Sequence, residues 1–314
     1  MYDYIGIDVS KKVLNIFDGK KDFIFDNKEN LSSFKKYLKK RYPDLSSLMI
    51  LFEATGIYSY PLKAFCAAHH IKAYIINPQT SYSFAKSLGT RSKTDTCDAR
   101  AIWVYHRLLN DKDIHIPKVD SILITLSSYL TSYRLTLKER LALTNHLEGI
   151  KDKALCRLLK NEKERLGKLE HELLVRMDTY IKGYPELNED YKRLLSISGI
   201  GQKTAVSLLT LFHIYPDTNR NQITALIGLD PVQRQSGTSV HGRSRISKHG
   251  NQMMRKCLYM PTLVSIQYNH KIKVFYERLV LKHKPKKVAV IACMRKLLLI
   301  AHAIYKNKTV YVPG

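Results

Sequence analysis

Tyr4-Ile5-Gly6-Ile7-Asp8-Val9 is an apolar run broken by one carboxylate, and the reading of the fold starts from it. Its residue types predict a strand, and Val13–Phe17 and Asp22–Phe25 follow at meander spacing, with Asp18-Gly19 marking the second turn. An acid in an apolar strand is costly to bury unless something pairs with it. Glu53 repeats the pattern at the end of Leu48-Met49-Ile50-Leu51-Phe52. Between the two lies a predicted helix, Leu31–Arg41, capped by Asn30 and striped by Leu31, Phe34 and Leu38. A helix over Tyr58–His69, a strand over Lys72–Asn77 and helices over Gln79–Ser87 and Thr94–Leu109 complete this part.

Three strands, a helix, then strand and helix in alternation is the order of an α/β RNase H-like fold, whose acids converge at the ends of the central strands. The last helix begins in Arg91-Ser92-Lys93-Thr94-Asp95-Thr96-Cys97-Asp98-Ala99-Arg100. Thr94 serves as its N-cap. Asp95 and Asp98, three apart, share a helix face, and the positive end of the helix dipole favours their ionised forms. An isolated pair of this kind is more often an ordinary first-turn decoration; together with Asp8 and Glu53 it points to a divalent cation, Mg²⁺ or Mn²⁺, which takes hard carboxylate oxygens.

The formal charge of +25, from 52 Lys+Arg against 27 Asp+Glu in 314 residues, points to a polyanionic partner, nucleic acid first. No uncharged run has spanning length; Val288–Tyr305 carries Arg295 and Lys296 and reads as an amphipathic helix. No membrane partner is expected, and no leader is evident at Met1-Tyr2-Asp3-Tyr4. Five scattered cysteines without a CxxC pair suit a reducing cytosol rather than disulfides or structural zinc.

Ser121–Lys182 is nearly free of Gly and Pro and carries Leu at helical spacing among Lys and Glu, predicting two long helices in a coiled-coil hairpin that acts as a spacer or oligomerisation arm. Leu194-Leu195-Ser196-Ile197-Ser198-Gly199-Ile200-Gly201-Gln202-Lys203 then resembles a helix-hairpin-helix, in which Gly199, Gly201 and Lys203 would meet a phosphate at a helix start. A plain glycine turn between helices is the competing reading. After Asp230 the remaining 84 residues hold one acid, Glu277, against 17 Lys+Arg. Within them Gln235-Ser236-Gly237-Thr238-Ser239-Val240-His241-Gly242-Arg243-Ser244-Arg245-Ile246-Ser247-Lys248-His249-Gly250 sets hydroxyls among cations, and Arg243, Arg245 and Lys248 suit phosphate. On composition a serine here is more often a phosphate ligand than a nucleophile, and the only bases nearby are His241 and His249.

Gly6-Ile7-Asp8-Val9-Ser10, Glu53-Ala54-Thr55-Gly56, Lys93-Thr94-Asp95 with Asp98-Ala99, Gly228-Leu229, Ser236-Gly237 and Arg245-Ile246-Ser247-Lys248-His249-Gly250 together resemble the DEDD transposases of insertion-sequence family one-ten, the Piv-type recombinases. The likeness covers nearly the whole chain and departs locally at Asp230 and Met253-Met254-Arg255. It implies three parts: a RuvC-type RNase H-like catalytic domain over 1–112, a helical hairpin over 113–185, and a mostly α-helical, basic transposase domain with a helix-hairpin-helix over 186–314. Asp8, Glu53, Asp95 and Asp98 match the family's four acids, and Ser236 matches its covalent nucleophile, with Ser239, Ser244 and Ser247 close enough to compete. The implied activity is metal-dependent cutting and rejoining of DNA at element ends and target, in the cytoplasm and at the nucleoid. The long hairpin between the acids and the serine could let a composite site form across protomers, so a homodimer or homotetramer is expected. Some members are guided by a structured RNA from the element itself. The alternatives are a junction-resolving metal nuclease without a covalent intermediate, and a non-catalytic nucleic-acid-binding protein.

Overall fold

A computed structural model of the chain describes residues 2–28, 30–88, 95–110, 114–236 and 240–313, with the side chains of all of these except 95, 96, 233–236 and 240–244. The chain divides into two compact units, 1–120 and 121–314.

The first unit is built on five strands, β1 (Asp3–Val9), β2 (Val13–Phe17), β3 (Asp22–Asp26), β4 (Leu48–Glu53) and β5 (Lys72–Ile76), in the order β3-β2-β1-β4-β5. The β1–β2 and β2–β3 pairs are antiparallel, whereas β1–β4 and β4–β5 are parallel. Helices α1 (Ser32–Arg41), α2 (Tyr60–Ala68), α3 (Pro78–Ser87) and α4 (Asp95–Val104) complete it. This mixed sheet with its helices is compatible with the RNase H-like expectation.

The pleat sends alternate residues to opposite faces. Ile5, Ile7 and Val9 of β1, with Leu48, Ile50 and Phe52 of β4, form one core with Phe34 and Leu38 of α1 and Leu62 and Phe65 of α2. The other face carries Met49, Leu51 and Ile76 against Ile102 of α4. Helix α1 opens differently from the sequence reading. Its N-cap is Leu31, in the left-handed region at φ 43°, and Asn30 supplies only a long contact, 3.4 Å, from its Oδ1 to the Ser32 N–H. The predicted cap Thr94 lies outside the described residues, and the helix expected to reach Leu109 ends at Val104 in a 3-10 turn, Tyr105–Leu108.

The second unit holds α5 (Ser121–Leu147), α6 (Lys153–Lys182), α7 (Pro185–Leu195), α8 (Gln202–Ile214), α9 (Arg220–Ile227), the strands β6 (Pro231–Ser236) and β7 (Val240–Ile246), and α10 (Gln252–Tyr268), α11 (His270–Leu281) and α12 (Lys286–Asn307). Helices α5 and α6 are the predicted long pair, joined by a short turn and tied by Arg140, whose Nε and Nη2 donate to Glu170 at 2.6 and 3.2 Å. Every residue of α8 from Thr204 to Phe212 is buried, so this helix is the axis of the unit's core. Helix α12 is long and apolar enough to cross a membrane, yet Cys293, Leu297, Leu298 and Ala301 are wholly buried in the same core. Its apolar length serves the interior, and Arg295 and Lys296, read as marks of an amphipathic helix, stand among its partly buried positions.

Candidate active site

Asp8 shares its face of β1 with Tyr4 and Gly6, and Glu53 shares its face of β4 with Met49 and Leu51. That is the face α4 covers. Ile7 pairs with Phe52 across the parallel ladder, so Asp8 and Glu53, one residue further on each strand, stand level at the C-terminal ends of adjacent central strands. The run of α4 along β1 is fixed by two contacts. Trp103 Nε1 donates to the Tyr4 carbonyl at 2.9 Å, and the Ala99 and Trp103 backbones lie against Gly6 so closely that a Cβ there would meet Ala99 O and Trp103 N at 2.5 Å. Gly6 has no positive φ, so glycine is required here by space alone. The helix therefore runs antiparallel to β1, Trp103 over Tyr4 and Ala99 over Gly6, and its first turn, with Asp95 and Asp98, continues toward the level of Asp8. Arg100 steadies the helix from the side by donating Nε to Asp22 at 3.1 Å and by lying over the Phe17 ring. This guanidinium holds the Asp22 carboxyl below the usual carboxylate range.

Asp8, Glu53 and Asp98 are each half-buried. The Asp95 backbone begins α4, but its side chain lies outside the described residues. Among the described residues no three His, Cys, Asp or Glu side chains close into a metal-binding group. The donor chemistry nonetheless suits a hard divalent cation: carboxylates from three separate elements on one face and at one end of a sheet. Sequence reasoning missed Asn15. It pairs with Asp8 across the β1–β2 ladder, is 4% exposed, and its Nδ2 has no hydrogen-bond partner among the described residues. A buried orphan donor beside Asp8 marks polar space that the described residues do not fill. An asparagine interrupting the apolar strand Val13-Leu14-Asn15-Ile16-Phe17 was the available signal.

In the second unit the stretch of hydroxyls among cations forms an antiparallel hairpin of β6 and β7, with Ser236 closing β6 opposite Val240. Alternating residues around a Ser-Gly dipeptide were the hairpin signal that basic composition obscured. The Ser236 and Arg243 side chains, and Gly237 to Ser239 entirely, lie outside the described residues; Arg245 and Lys248 are exposed. Ser247 is engaged elsewhere. Its Oγ donates to Asp230 Oδ1 at 2.5 Å and its N–H to Asp230 O at 2.9 Å, closing the hairpin base. Below that clasp Gly228, at φ 70°, and Gly250 cross so tightly that a Cβ on Gly250 would meet Leu226 O at 2.4 Å. Arg255 Nη1 pins the crossing by donating to Ile227 O at 2.6 Å and Gly250 O at 3.1 Å.

The two glycines between α7 and α8 have different roles. Gly199, at φ 100°, lies against α10, where a Cβ would meet Ser265 Oγ at 2.1 Å. Gly201 caps α8 in open space, with no atom near its missing Cβ. Lys203 lies half-buried, its ammonium 5.5 Å from the centre of the Tyr133 ring.

Asp8 and Glu53 at the ends of central strands in one unit are thus accompanied by a hairpin with exposed cations in the other. A family profile described as a transposase, that of the IS110-type DEDD enzymes, matches residues 5–153, and one described as "Transposase IS116/IS110/IS902 family" matches residues 191–277. The chain is 31% identical over 321 positions to the pilin gene-inverting protein of Moraxella bovis, spanning 97% of this chain and 96% of that one. It is 26% identical over 245 positions to the transposase for insertion sequence element IS1111A of Coxiella burnetii, spanning 67% and 63%. This chain belongs to the IS110 family of transposases: it is an enzyme that acts on DNA, and a divalent metal requirement goes with the family.

Proposed function

We propose that the chain cuts and rejoins the ends of an insertion sequence with four carboxylates and one serine. The observation that carries this reading is the course of α4 along β1, which brings the turn bearing Asp95 and Asp98 toward Asp8 and Glu53. Asp8, Glu53, Asp95 and Asp98 would hold Mg²⁺ (or Mn²⁺). That ion supplies charge to a scissile phosphate and stabilisation to its leaving oxygen. The Nδ2 group of Asn15 donates to a phosphate oxygen at the same level. Ser236 Oγ attacks phosphorus; the O–P bond forms as the bond to the departing deoxyribose oxygen breaks, the serine proton passes to solvent, and the leaving oxygen takes one from it. The phosphoserine conserves the bond for rejoining.

The engagement of Ser247 with Asp230 favours Ser236 over it as the nucleophile. Gly201, at the open start of α8 in the helix-hairpin-helix reading, together with Arg243, Arg245 and Lys248 on and beside the hairpin, holds phosphates; Gly199 serves the turn itself. Exposed leucines on the α5–α6 arm, Leu135, Leu141, Leu155 and Leu158, favour a homodimer or homotetramer joined through a coiled coil. The family likeness extends the reading to an element-encoded guide RNA and to action on the nucleoid in the cytoplasm.

Denaturing gels of reactions stalled on nicked duplex test it. A covalent protein–DNA adduct should form with the parent, vanish with Ser236→Ala and with Asp8→Asn, and persist with Ser247→Ala. An adduct that survives Ser236→Ala refutes the assignment of the serine, and a parent that cleaves without ever forming one leaves the metal nuclease as the mechanism.

A further inference from the structure

Two turns at the Asp8 and Glu53 end of the sheet are tied together by a single side chain, Asn27. Its backbone N–H donates to Lys12 O at 2.8 Å, and its Nδ2 donates to both Ser10 O at 2.8 Å and Tyr58 O at 2.9 Å. Ser10 stands two residues past Asp8, and Tyr58 five past Glu53. The second turn is also braced internally. Gly56 turns at φ 56°, the Tyr58 N–H donates to Thr55 O at 3.2 Å, and Ser59 Oγ donates to Gly56 O at 3.0 Å.

This braced turn exposes large apolar groups. Ile57 is 79% exposed, the highest value among the described large hydrophobic residues, and Tyr58 and Tyr60 are 37% and 39% exposed. Lys11 and Lys12 on the tethered neighbouring turn are exposed as well. A loose loop can hide such groups by moving, but one braced by its own turn hydrogen bonds and tied through Tyr58 O to Asn27 keeps them in water. Flat apolar surface joined to cations matches a nucleotide, which offers a base face to the first and a phosphate to the second. In a stacked duplex the base faces are covered, so that match requires a base step opened beside the cut.

We propose that Gly56–Tyr60 is a rim that takes an unstacked nucleobase next to the phosphate cleaved at Asp8 and Glu53, with Ile57 and Tyr58 against the base, Lys11 and Lys12 on the flanking phosphates, and Asn27 as the positioning residue. This rests on the proposed role of the carboxylates.

The test compares cleavage of two duplexes spanning an element–flank junction, one fully paired and one with a mismatch at the cut step. The parent should cut both at similar rates. Ile57→Ser with Tyr58→Ala should cut the paired duplex roughly tenfold more slowly, the loss expected for one base-stacking contact, and the mismatched duplex at near the parent rate. Asn27→Ala should shift the ratio the same way with both side chains still present. A merely structural role would slow both duplexes alike, and that result, or parental cutting of the paired duplex by the double variant, overturns the proposal. Asp8→Asn should cut neither. If it cuts, the carboxylate reading fails, whatever the ratio shown by the rim variants.

Discussion

Replacing Gly6 with Ala should damage catalysis far more than folding. The added Cβ would lie 2.5 Å from Ala99 O and Trp103 N and 2.7 Å from Trp103 Cβ, and the first two are backbone atoms that no rotamer change can move. Restoring ordinary contact at about 3.4–3.5 Å requires α4 to lift from β1 by about 1 Å. Overpacking of this kind costs about 1–3 kcal/mol, which in a unit of this size lowers the melting temperature by roughly 5–15 °C. The same 1 Å moves Asp95 and Asp98 away from Asp8, and a misplacement of that size among catalytic groups costs about a hundredfold in rate. Phe34→Leu, in the core on the opposite face of the sheet, is the matched control. It loses packing without lifting α4. With strand cleavage assayed well below both melting transitions, Phe34→Leu should cut within a few-fold of the parent, and Gly6→Ala about a hundredfold more slowly. If Gly6→Ala cuts as well as Phe34→Leu at equal folded fraction, the approach of α4 to β1 does not set the acid site.

His302 is 3% exposed, and burial, with Lys306 as the lesser cause, holds its imidazole below the usual histidine range; Thr218 Oγ1 lies 3.3 Å from its Nε2 and Phe212 packs on its ring. The unfolded chain therefore binds a proton below about pH 6.5 that the folded chain does not, and stability should fall with falling pH by up to about 1.4 kcal/mol per unit. Urea midpoints at pH 7.5, 6.5 and 5.5 should show this slope in the parent and lose that part of it in His302→Gln; identical slopes refute it. Cys66 and Cys293 are fully buried, and burial pushes their thiols up to about 12 and about 11. Iodoacetamide at pH 8 with mass-spectrometric readout should label the partly exposed Cys97 and Cys156 first, and reach Cys66 and Cys293 only after denaturant is added.

The first unit was legible because its signals are local. Runs such as Leu48–Phe52 are continuous and apolar, as a central parallel strand must be, and an acid at the end of such a run has few structural uses. What stayed hidden was contact between distant segments. Gly6 reads as an ordinary strand glycine until α4 is found on top of it, and Asn15 and Asn27 read as polar interruptions until their neighbours are known. Leu31 shows the same limit at short range: its left-handed backbone displaced the cap expected at Asn30, a choice made by burial of the Leu31 side chain in the core rather than by capping preference.

The serine segment shows why composition misled and geometry corrects it. Hydroxyls, glycines and cations in a row suggest a pliant loop, and in such a loop any of four serines could reach a phosphate. The hairpin sets one of the four apart. Ser247 stands at the base, its hydroxyl and its N–H both committed to Asp230, so releasing it would open the clasp that joins β6 to β7. Gly228, Gly250 and Arg255 lock the same base through contacts that leave no room for a Cβ. Ser236 stands at the far end, at the last pair of the ladder. On this account the Asp230 clasp and the Ser236 chemistry separate experimentally. Asp230→Ala should loosen the hairpin and slow adduct formation while leaving some adduct, whereas Ser236→Ala should remove it outright.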